Sequence, residues 1–226
     1  MQLTRTISER RTTTDLVFER LHEEIVSLTL LPGTKLSEVE IAKRFGVSRQ
    51  PVRDAFNKLR SQDLLLIRPQ KATEVRGFSM ERIAHERFVR LAVEVEVIRR
   101  ACADWQAENS EVLAANLARQ QDATENDQPE TFHQLDYEFH KHICELSGHR
   151  LAFDTIQDCK QKIDRLCMLS LGRQSEIETL YRDHRDLAEA LDTRNTDAAT
   201  EIIRVHLARL DDTIADIHAK NQDYFE

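Results

Sequence analysis

A carboxylate and an imidazole stand four residues apart in the stretch LDYEFHKH, residues 135–142. Positions four apart lie on the same face of a helix, so Asp136 and His140 can turn toward a common point. Such a pair suits metal coordination or acid/base chemistry. A third interpretation needs no chemistry at all, because the polar border of an amphipathic helix has a similar composition.

Two further histidines lie in the middle of apolar helical faces. His184 occurs within SEIETLYRDHRDLAEAL and His206 within AATEIIRVHLARL, each among aliphatic residues at helical spacing. A single histidine in such a position is usually a core residue with a polar partner. Burying an imidazole nevertheless costs free energy of desolvation unless a polar group or an ion binds it. One divalent cation bound by Asp136, His140, His184 and His206 would offset the desolvation cost of all the buried imidazoles.

Three neutral imidazoles with one carboxylate suit Zn, Ni, Mn or Fe, and the sequence does not choose among these ions. His133 shares the face of His140 but lies two turns away, too far to join the same ion beside Asp136. We therefore predict a four-residue metal site that excludes His133 and the other histidines.

The candidate ligands must be positioned by helices. Beyond Met80 every long segment has helical period and no strand pattern occurs. The segments cover about residues 80–106, 109–124, 128–147, 149–171, 174–193 and 196–221. Short connections between them predict an all-α six-helix bundle over residues 79–226, with the ligands on the third, fifth and sixth helices.

Charge divides the 226-residue chain into two modules. Residues 1–78 hold 14 Lys/Arg against 10 Asp/Glu, a net charge of +4, whereas residues 79–226 hold 18 against 30, a net charge of −12. The length allows two domains, each with its own core. This asymmetry indicates a basic module that contacts a polyanion and an acidic module that has another task.

Composition indicates neither a membrane protein nor an oxidising compartment. No run of 18 apolar residues occurs, and the first 14 residues lack the apolar segment of a signal peptide. The four cysteines are widely spaced without a CxxC pair, which is typical of buried free thiols. We expect a cytoplasmic protein.

The basic module has the pattern of a helix-turn-helix. After an arm at residues 1–13 that we expect to be flexible, a first helix is predicted from Thr14 to Leu28. Ser37 with Glu40 forms a capping box that predicts a second, short helix. Ser48 then caps a third helix, across a tight turn at Gly46.

The third helix and the segment after it present side chains that bond phosphates and base edges. LLLIRPQKATEV, residues 64–75, has two short β-prone runs about a turn and predicts a wing. Phosphates and base edges are bound by Arg, Lys, Gln and Asn side chains. The candidate DNA-binding residues are Arg49, Gln50, Arg53, Asn57 and Lys58 on the helix, with Arg68 and Lys71 on the wing.

The stretch PGTKLSEVEIAKRFGVSRQPVRDAFNKLRSQDLL resembles the winged helix-turn-helix of the GntR family of bacterial transcription regulators. The resemblance implies a DNA-binding domain at residues 14–78 in which Arg49 and Arg53 are the main contacts, with Gln50 beside them and Lys71 on the wing. Two positions depart from the family pattern, since Asp63 stands in place of the usual Gly before the wing and Ala72 in place of the wing-tip glycine. The wing contacts are therefore less well supported than those of the helix.

The acidic module resembles the FCD ligand-binding domain of the FadR subgroup, and its six helices match the shorter VanR-like branch. LDYEFHKHICELSGHRLAF, YRDHRDLAEAL and AATEIIRVHLARL are similar to the segments that carry that family's metal ligands. By this resemblance the ligands are Asp136, His140, His184 and His206, the set that periodicity also indicates.

Two further segments resemble the effector-binding parts of the same family. ERFVRLAVEVEVIRRACA and IDRLCMLSL imply that Arg90, Glu94 and Arg165 lie by the effector cavity. Arg90 has a plainer interpretation as a surface ion-pair residue. Cys167 stands where a second arginine is common, which leaves the polarity of the effector open.

We expect a homodimeric, effector-responsive transcription regulator that acts as a repressor rather than as an activator. It would bind an inverted-repeat operator in double-stranded DNA and respond to a small organic acid, with no membrane partner. Two alternatives stay open. The first is a metal-dependent enzyme fused to a DNA-binding module, and the second is a regulator whose metal is structural and which has no organic effector.

Overall fold

The computed structural model describes residues 12–170 and 174–226. Its contacts divide the chain into two compact units, one formed by residues up to Phe78 together with Gln222–Glu226, the other by Ser79–Asn221. Of the predicted arm at residues 1–13, all but the last two residues lie outside the described part. No helix in the described ranges is both long and apolar enough to cross a membrane.

The N-terminal unit is a winged helix-turn-helix, as predicted. Its elements are α1 Thr13–Val26, β1 Lys35–Leu36, α2 Glu38–Phe45, α3 Arg49–Ser61, β2 Leu65–Leu66 and β3 Thr73–Val75. The strands form an antiparallel sheet in the order β1-β3-β2. Leu21, Ile25, Val52, Ala55 and Leu59 are fully buried between α1 and α3, so the predicted apolar stripes do form the core.

Local details of this unit differ from the sequence prediction. The first helix ends at Val26 rather than Leu28, which has a positive φ of 59°. Ser37 and Ser48 occupy the N-cap positions, but neither side chain makes the capping hydrogen bond, so the predicted capping box is absent. Gly46 has φ 66° and ends α2 in the left-handed conformation, which a glycine adopts without strain.

The departures from family pattern have a simple backbone explanation. Asp63 has φ 59°, so it takes the left-handed conformation in the position where the family uses glycine. Aspartate tolerates that conformation better than most residues. In the wing turn the positive φ, 60°, belongs to Gln70 and not to Ala72. Ala72 therefore avoids the left-handed conformation, in which an alanine would be strained.

The second unit is all-helical. Its elements are α4 Met80–Asp104, α5 Ala107–Glu125, α6 Pro129–Leu146, α7 Ala152–Cys167, α8 Gln174–Asp192, α9 Thr196–Ala208 and α10 Leu210–Lys220. α4 packs against α7 and α9, while α8 packs against α5 and α9. Phe139, Ile143, Leu187, Leu191 and Ile203 are buried at their centre.

The six predicted helices correspond to α4 through α10, because the last one is divided. Arg209 separates α9 from α10 while keeping right-handed dihedrals of −59° and −22°. The predicted helix at residues 149–171 is shorter, with α7 followed by a 3-10 turn at Met168–Ser170. Cys102, Cys144 and Cys159 are buried as expected, but Cys167 is only partly buried.

Candidate metal centre and DNA-binding face

Four side chains from three helices meet in the interior of the helical unit. α6 supplies Asp136 and His140, α8 supplies His184 and α9 supplies His206, all of them buried. One ligand-type atom from each lies within 4.8 Å of the others. The structure thus brings together the four residues that the sequence indicates as ligands. His133 is exposed on α6 and lies outside the group.

The helices place these residues by ordinary packing. Phe132, Leu135, Phe139 and Ile143 form the buried stripe of α6, and Asp136 and His140 follow its border, four residues apart. Phe139 stacks on the His184 ring with centroids 4.3 Å apart and planes at 20°. The rings of His184 and His206 are 4.7 Å apart, and each of them lies 5.4 Å from the His140 ring.

The Nδ1 atom of each imidazole contacts a polar side chain. His140 Nδ1 lies 2.7 Å from Glu94 Oε2, and His206 Nδ1 lies 3.3 Å from Asp183 Oδ2. His184 Nδ1 lies 2.8 Å from the Gln120 side-chain oxygen. Outer partners of this kind set the tautomer and the orientation of metal-binding histidines.

The Nε2 atoms of two of these imidazoles are polar atoms buried inside the cluster. His140 Nε2 and His184 Nε2 are buried and have no hydrogen-bond partner among the described residues. Both face one oxygen of Asp136, since His184 Nε2 is 3.4 Å and His140 Nε2 is 3.7 Å from Asp136 Oδ1. Buried nitrogens without partners are costly, so a bound cation is a physically reasonable occupant of this position.

The protonation states favour cation binding at two of the three rings. Burial lowers the pKa of His184 well below its ordinary value, and His206 adds to the effect. Burial also lowers the pKa of His206. Burial alone would lower the pKa of His140, but the Glu94 and Asp136 carboxylates together raise it. Burial alone would raise the pKa of Asp136, but Lys160 and His140 hold it well below the usual range.

Of the predicted effector residues, Arg90 and Glu94 adjoin this cluster, although not in the expected manner. Arg90 is buried and donates from Nε to Glu94 Oε1 at 2.6 Å. Glu94 therefore lies between Arg90 and His140, with both oxygens engaged inside the protein. Arg165 on α7 is also buried, and burial lowers its pKa to about 10. Arg90 is not the surface ion-pair residue of the plainer interpretation.

A cavity of about 280 Å³ adjoins Arg90. Arg87, Arg204, Phe88 and Leu207 contribute to its walls, and none of the four clustered residues does. Arg90 lines this cavity and also bonds to Glu94, which in turn contacts His140.

Sequence reasoning missed three outer residues of the cluster. Gln120 contacts His184 Nδ1 through its side-chain oxygen and donates from Nε2 to Asn116 at 2.6 Å. Both Gln120 and Asn116 interrupt the apolar stripe of α5. Lys160 likewise interrupts the stripe of α7. A polar residue inside an apolar stripe is the signal that indicates them. Asp183 has no such signal, being merely adjacent in sequence to His184.

The candidate DNA-binding residues of α3 are exposed. Arg49 and Arg53 both pair with Glu38 at the start of α2, with nitrogen-oxygen distances of 3.1 Å. Gln50 donates to Asp54 at 2.9 Å, and Asn57 is exposed on the same helix. The two arginines are thus held side by side by one carboxylate.

The other two groups of candidates lie elsewhere on this unit. Lys58 contacts Asp15 of α1 at 2.7 Å and lies over the Phe18 ring. On the wing, Arg68 pairs with Glu74 at 2.8 Å, and Lys71 is exposed. Lys58 therefore lies toward α1, a different environment from that of Arg49 and Arg53.

A winged helix-turn-helix joined to a helical domain with a buried Asp/His cluster defines a class, the two-domain DNA-binding regulators. Residues 13–75 match the family model described as bacterial regulatory proteins, gntR family, and residues 87–209 match the FCD domain. The chain belongs to the GntR family and carries an FCD domain.

Relatives and solved structures agree with this assignment. The chain is 37% identical over 209 residues to the HTH-type transcriptional repressor RspR of Escherichia coli K12, covering 92% of each chain. It is 30% identical to an HTH-type transcriptional regulator of Streptomyces ambofaciens, covering 92% of this chain and 88% of the relative. The fold is similar to that of E. coli McbR/YncC, with a TM-score of 0.69 at 18% identity, covering 93% and 99% of the two chains.

The protein is a transcriptional regulator with a GntR-type DNA-binding domain. Its family and its named relatives are regulators and not enzymes, so the alternative of a metal-dependent enzyme fused to a DNA-binding module is set aside.

Proposed function

We propose that the protein is a repressor whose FCD domain binds one divalent metal ion and a small organic acid. The observation that carries this proposal is the buried cluster of Asp136, His140, His184 and His206, in which the Nε2 atoms of His140 and His184 lack hydrogen-bond partners among the described residues. A cation would satisfy these atoms and offset the cost of burying them.

The donor set fits such an ion. Three imidazoles and one carboxylate suit Zn, Ni, Mn or Fe, and the fit does not select one of them. The outer partners Glu94, Gln120 and Asp183 would keep the imidazoles oriented. When bound, the ion would supply an electrophilic position for an oxygen of the acid.

Buried arginines support the choice of an acid as effector. Arg90 and Arg165 are both about 5% exposed, and a buried guanidinium favours a carboxylate with which it forms charge-assisted hydrogen bonds. In this proposal Arg90 and Arg165 flank the acid. Glu94, first expected to contact the effector, is assigned instead to orienting His140, because both of its oxygens are engaged.

On the DNA side, Arg49, Gln50, Arg53 and Asn57 are proposed to contact the operator from α3, with Arg68 and Lys71 on the wing and Lys58 near the phosphates. A homodimer would present two such helices to an inverted repeat. Repression is proposed because RspR is named a repressor. We also propose that this transcriptional regulator acts in the cytoplasm.

Acid and operator must be linked for regulation to occur. Suppose that the acid binds more tightly to the conformation that has released DNA. The acid then lowers the affinity for the operator, and the operator lowers the affinity for the acid by the same factor. A regulator with a purely structural metal would show no such linkage, which separates that alternative from the proposal.

The metal is tested with histidine variants. Metal-stripped wild type is expected to take up one equivalent of Co²⁺ or Zn²⁺, and His184→Ala and His206→Ala are expected to lower the metal affinity by more than about 10- to 100-fold, the loss that is typical when an outer partner is replaced. His133→Ala is the matched control on an exposed face and should bind like wild type. Binding should also weaken as the pH falls, because protons compete for the imidazoles. His140, whose pKa is raised, takes up a proton first, whereas His184 and His206, whose pKa values are lowered by burial, do so only at lower pH.

Bound metal is measured by elemental analysis and calorimetric titration. A chelator should lower the melting temperature of the loaded wild type. Undiminished metal in His184→Ala and His206→Ala would mean that these histidines are ordinary core residues, and the proposal would be abandoned.

A further inference from the structure

Lys160 of α7 is a buried lysine in contact with the cluster. It is 6% exposed, and its Nζ lies 3.2 Å from Asp136 Oδ2. The same Nζ lies 3.2 Å from both oxygens of Asp164 and 4.4 Å from the centroid of the Tyr137 ring. The Tyr137 hydroxyl donates to Asp164 at 2.8 Å. Lys160 is therefore fixed from several sides.

Lys160 divides the carboxylate of Asp136 into two unlike oxygens. Oδ1 faces the Nε2 atoms of His184 and His140, at 3.4 Å and 3.7 Å. Neither Nε2 atom has a hydrogen-bond partner within residues 12–170 and 174–226. Oδ2 faces the ammonium of Lys160. A carboxylate can hold a metal ion through one oxygen or through both. These contacts thus give the two oxygens different neighbours, His184 and His140 for Oδ1 and Lys160 for Oδ2.

We propose that Lys160 is a positioning residue that restricts Asp136 to one oxygen toward the metal and thereby preserves a position for the effector acid. The inference rests on the proposed function and extends it, because it names the residue that makes acid binding compatible with metal binding. Without Lys160, Oδ2 would be a buried anionic oxygen with a lost partner and would turn toward the ion.

A simple structural role predicts a different result. A lysine that only stabilises the helical unit would, when removed, weaken metal and acid together by loosening the whole cluster. A lysine that positions Asp136 would, when removed, leave more negative charge available to the ion. Metal affinity is then kept or increased, while acid affinity falls. The opposite responses of the two affinities distinguish these roles.

The test compares Lys160→Met with Lys160→Arg in the full-length protein. Methionine keeps the length of the side chain without its charge, and arginine keeps the charge. Lys162→Met is the matched control, because Lys162 lies on the same helix but pairs with Glu86 at the surface. Co²⁺ is the metal probe, since its visible spectrum reports the number of ligands, and acetate is the carboxylate probe.

Two affinities are measured for each protein, that of Co²⁺ for the metal-free form and that of acetate for the Co²⁺-loaded form. We expect Lys160→Met to bind Co²⁺ as wild type or more tightly, and to bind acetate at least about tenfold more weakly, the lower range for an outer partner. Lys160→Arg should recover part of the acetate affinity, and Lys162→Met should match wild type in both.

The outcomes separate this inference from the function on which it rests. Wild-type acetate affinity in Lys160→Met, beside normal Co²⁺ binding, overturns the role of Lys160 and leaves the metal and acid proposal standing. Parallel losses of Co²⁺, acetate and melting temperature also overturn it, in favour of a structural lysine. Failure of wild type to bind Co²⁺ overturns both.

Discussion

At the scale of single residues, one acidic side chain pairs with two of the candidate DNA-binding arginines. Glu38 pairs with both Arg49 and Arg53 of α3. The ion pairs are exposed, so they contribute little stability. In the proposed function, DNA phosphates would replace the carboxylate. Arg53 and Lys58 then differ by environment, because Lys58 is held toward α1 by Asp15.

This difference is testable on operator DNA. Arg53→Ala is expected to lose about 1 to 3 kcal/mol of operator binding and to relax the sequence preference, because a base-edge contact is removed. Lys58→Ala should weaken operator and random duplex by the same factor, as a phosphate contact does. Fluorescence anisotropy at one fixed salt concentration measures both. Equal losses on the two duplexes for Arg53→Ala would contradict a base-reading role.

At the scale of elements, α6 serves the core and the cluster with neighbouring residues. Phe139 is fully buried and stacks on His184, while His140 beside it turns to the cluster. α5 and α7 have the same double use, since Gln120 and Lys160 interrupt their apolar stripes to meet His184 and Asp136. The cluster is consequently only as rigid as the packing of these helices.

Phe139→Ala is expected to destabilise the helical unit by about 3 to 5 kcal/mol, because it removes a large side chain from a fully packed core. Leu151→Ala, at a residue 68% exposed, should change stability by less than about 0.5 kcal/mol. The chain's single tryptophan, Trp105, lies in the same core, so its fluorescence during urea unfolding reports on this unit. An unchanged unfolding midpoint in Phe139→Ala would show that the core is not packed as described.

At the scale of the whole molecule, the chain passes between the two units twice. It leaves the N-terminal unit after Phe78 and returns to it at Gln222. There the Phe78 amide donates to Tyr224 and the Glu226 amide donates to Phe78, both at 2.8 Å, and the Phe78 and Phe225 rings are 5.6 Å apart. Gly77 is required beside them, since a Cβ would lie 2.9 Å from the Tyr224 carbonyl oxygen.

Deleting residues 222–226 is therefore expected to destabilise the DNA-binding unit by about 1 to 3 kcal/mol, because Phe78 loses its cover and two backbone hydrogen bonds are lost. Glu226→Gln is the milder comparison and removes only the ion pair with Arg76, for a loss below about 1 kcal/mol. Hydrogen exchange of the Val75 and Phe78 amides measures the effect. Unchanged protection of these amides in the deletion variant would mean that the segment does not support this unit.

What the sequence determines on its own is local and periodic. The apolar stripes predict the helices, and the spacing of Asp136 and His140 with the central positions of His184 and His206 selects four residues that the fold does bring within 4.8 Å. These signals lie within single helices, where geometry depends only on residues three or four apart. Tertiary structure alone decides which side chain of another helix faces each ligand. That Glu94 holds His140, that Asp183 holds His206 and that residues 222–226 pack on Phe78 depend on how distant segments meet, which no local period encodes.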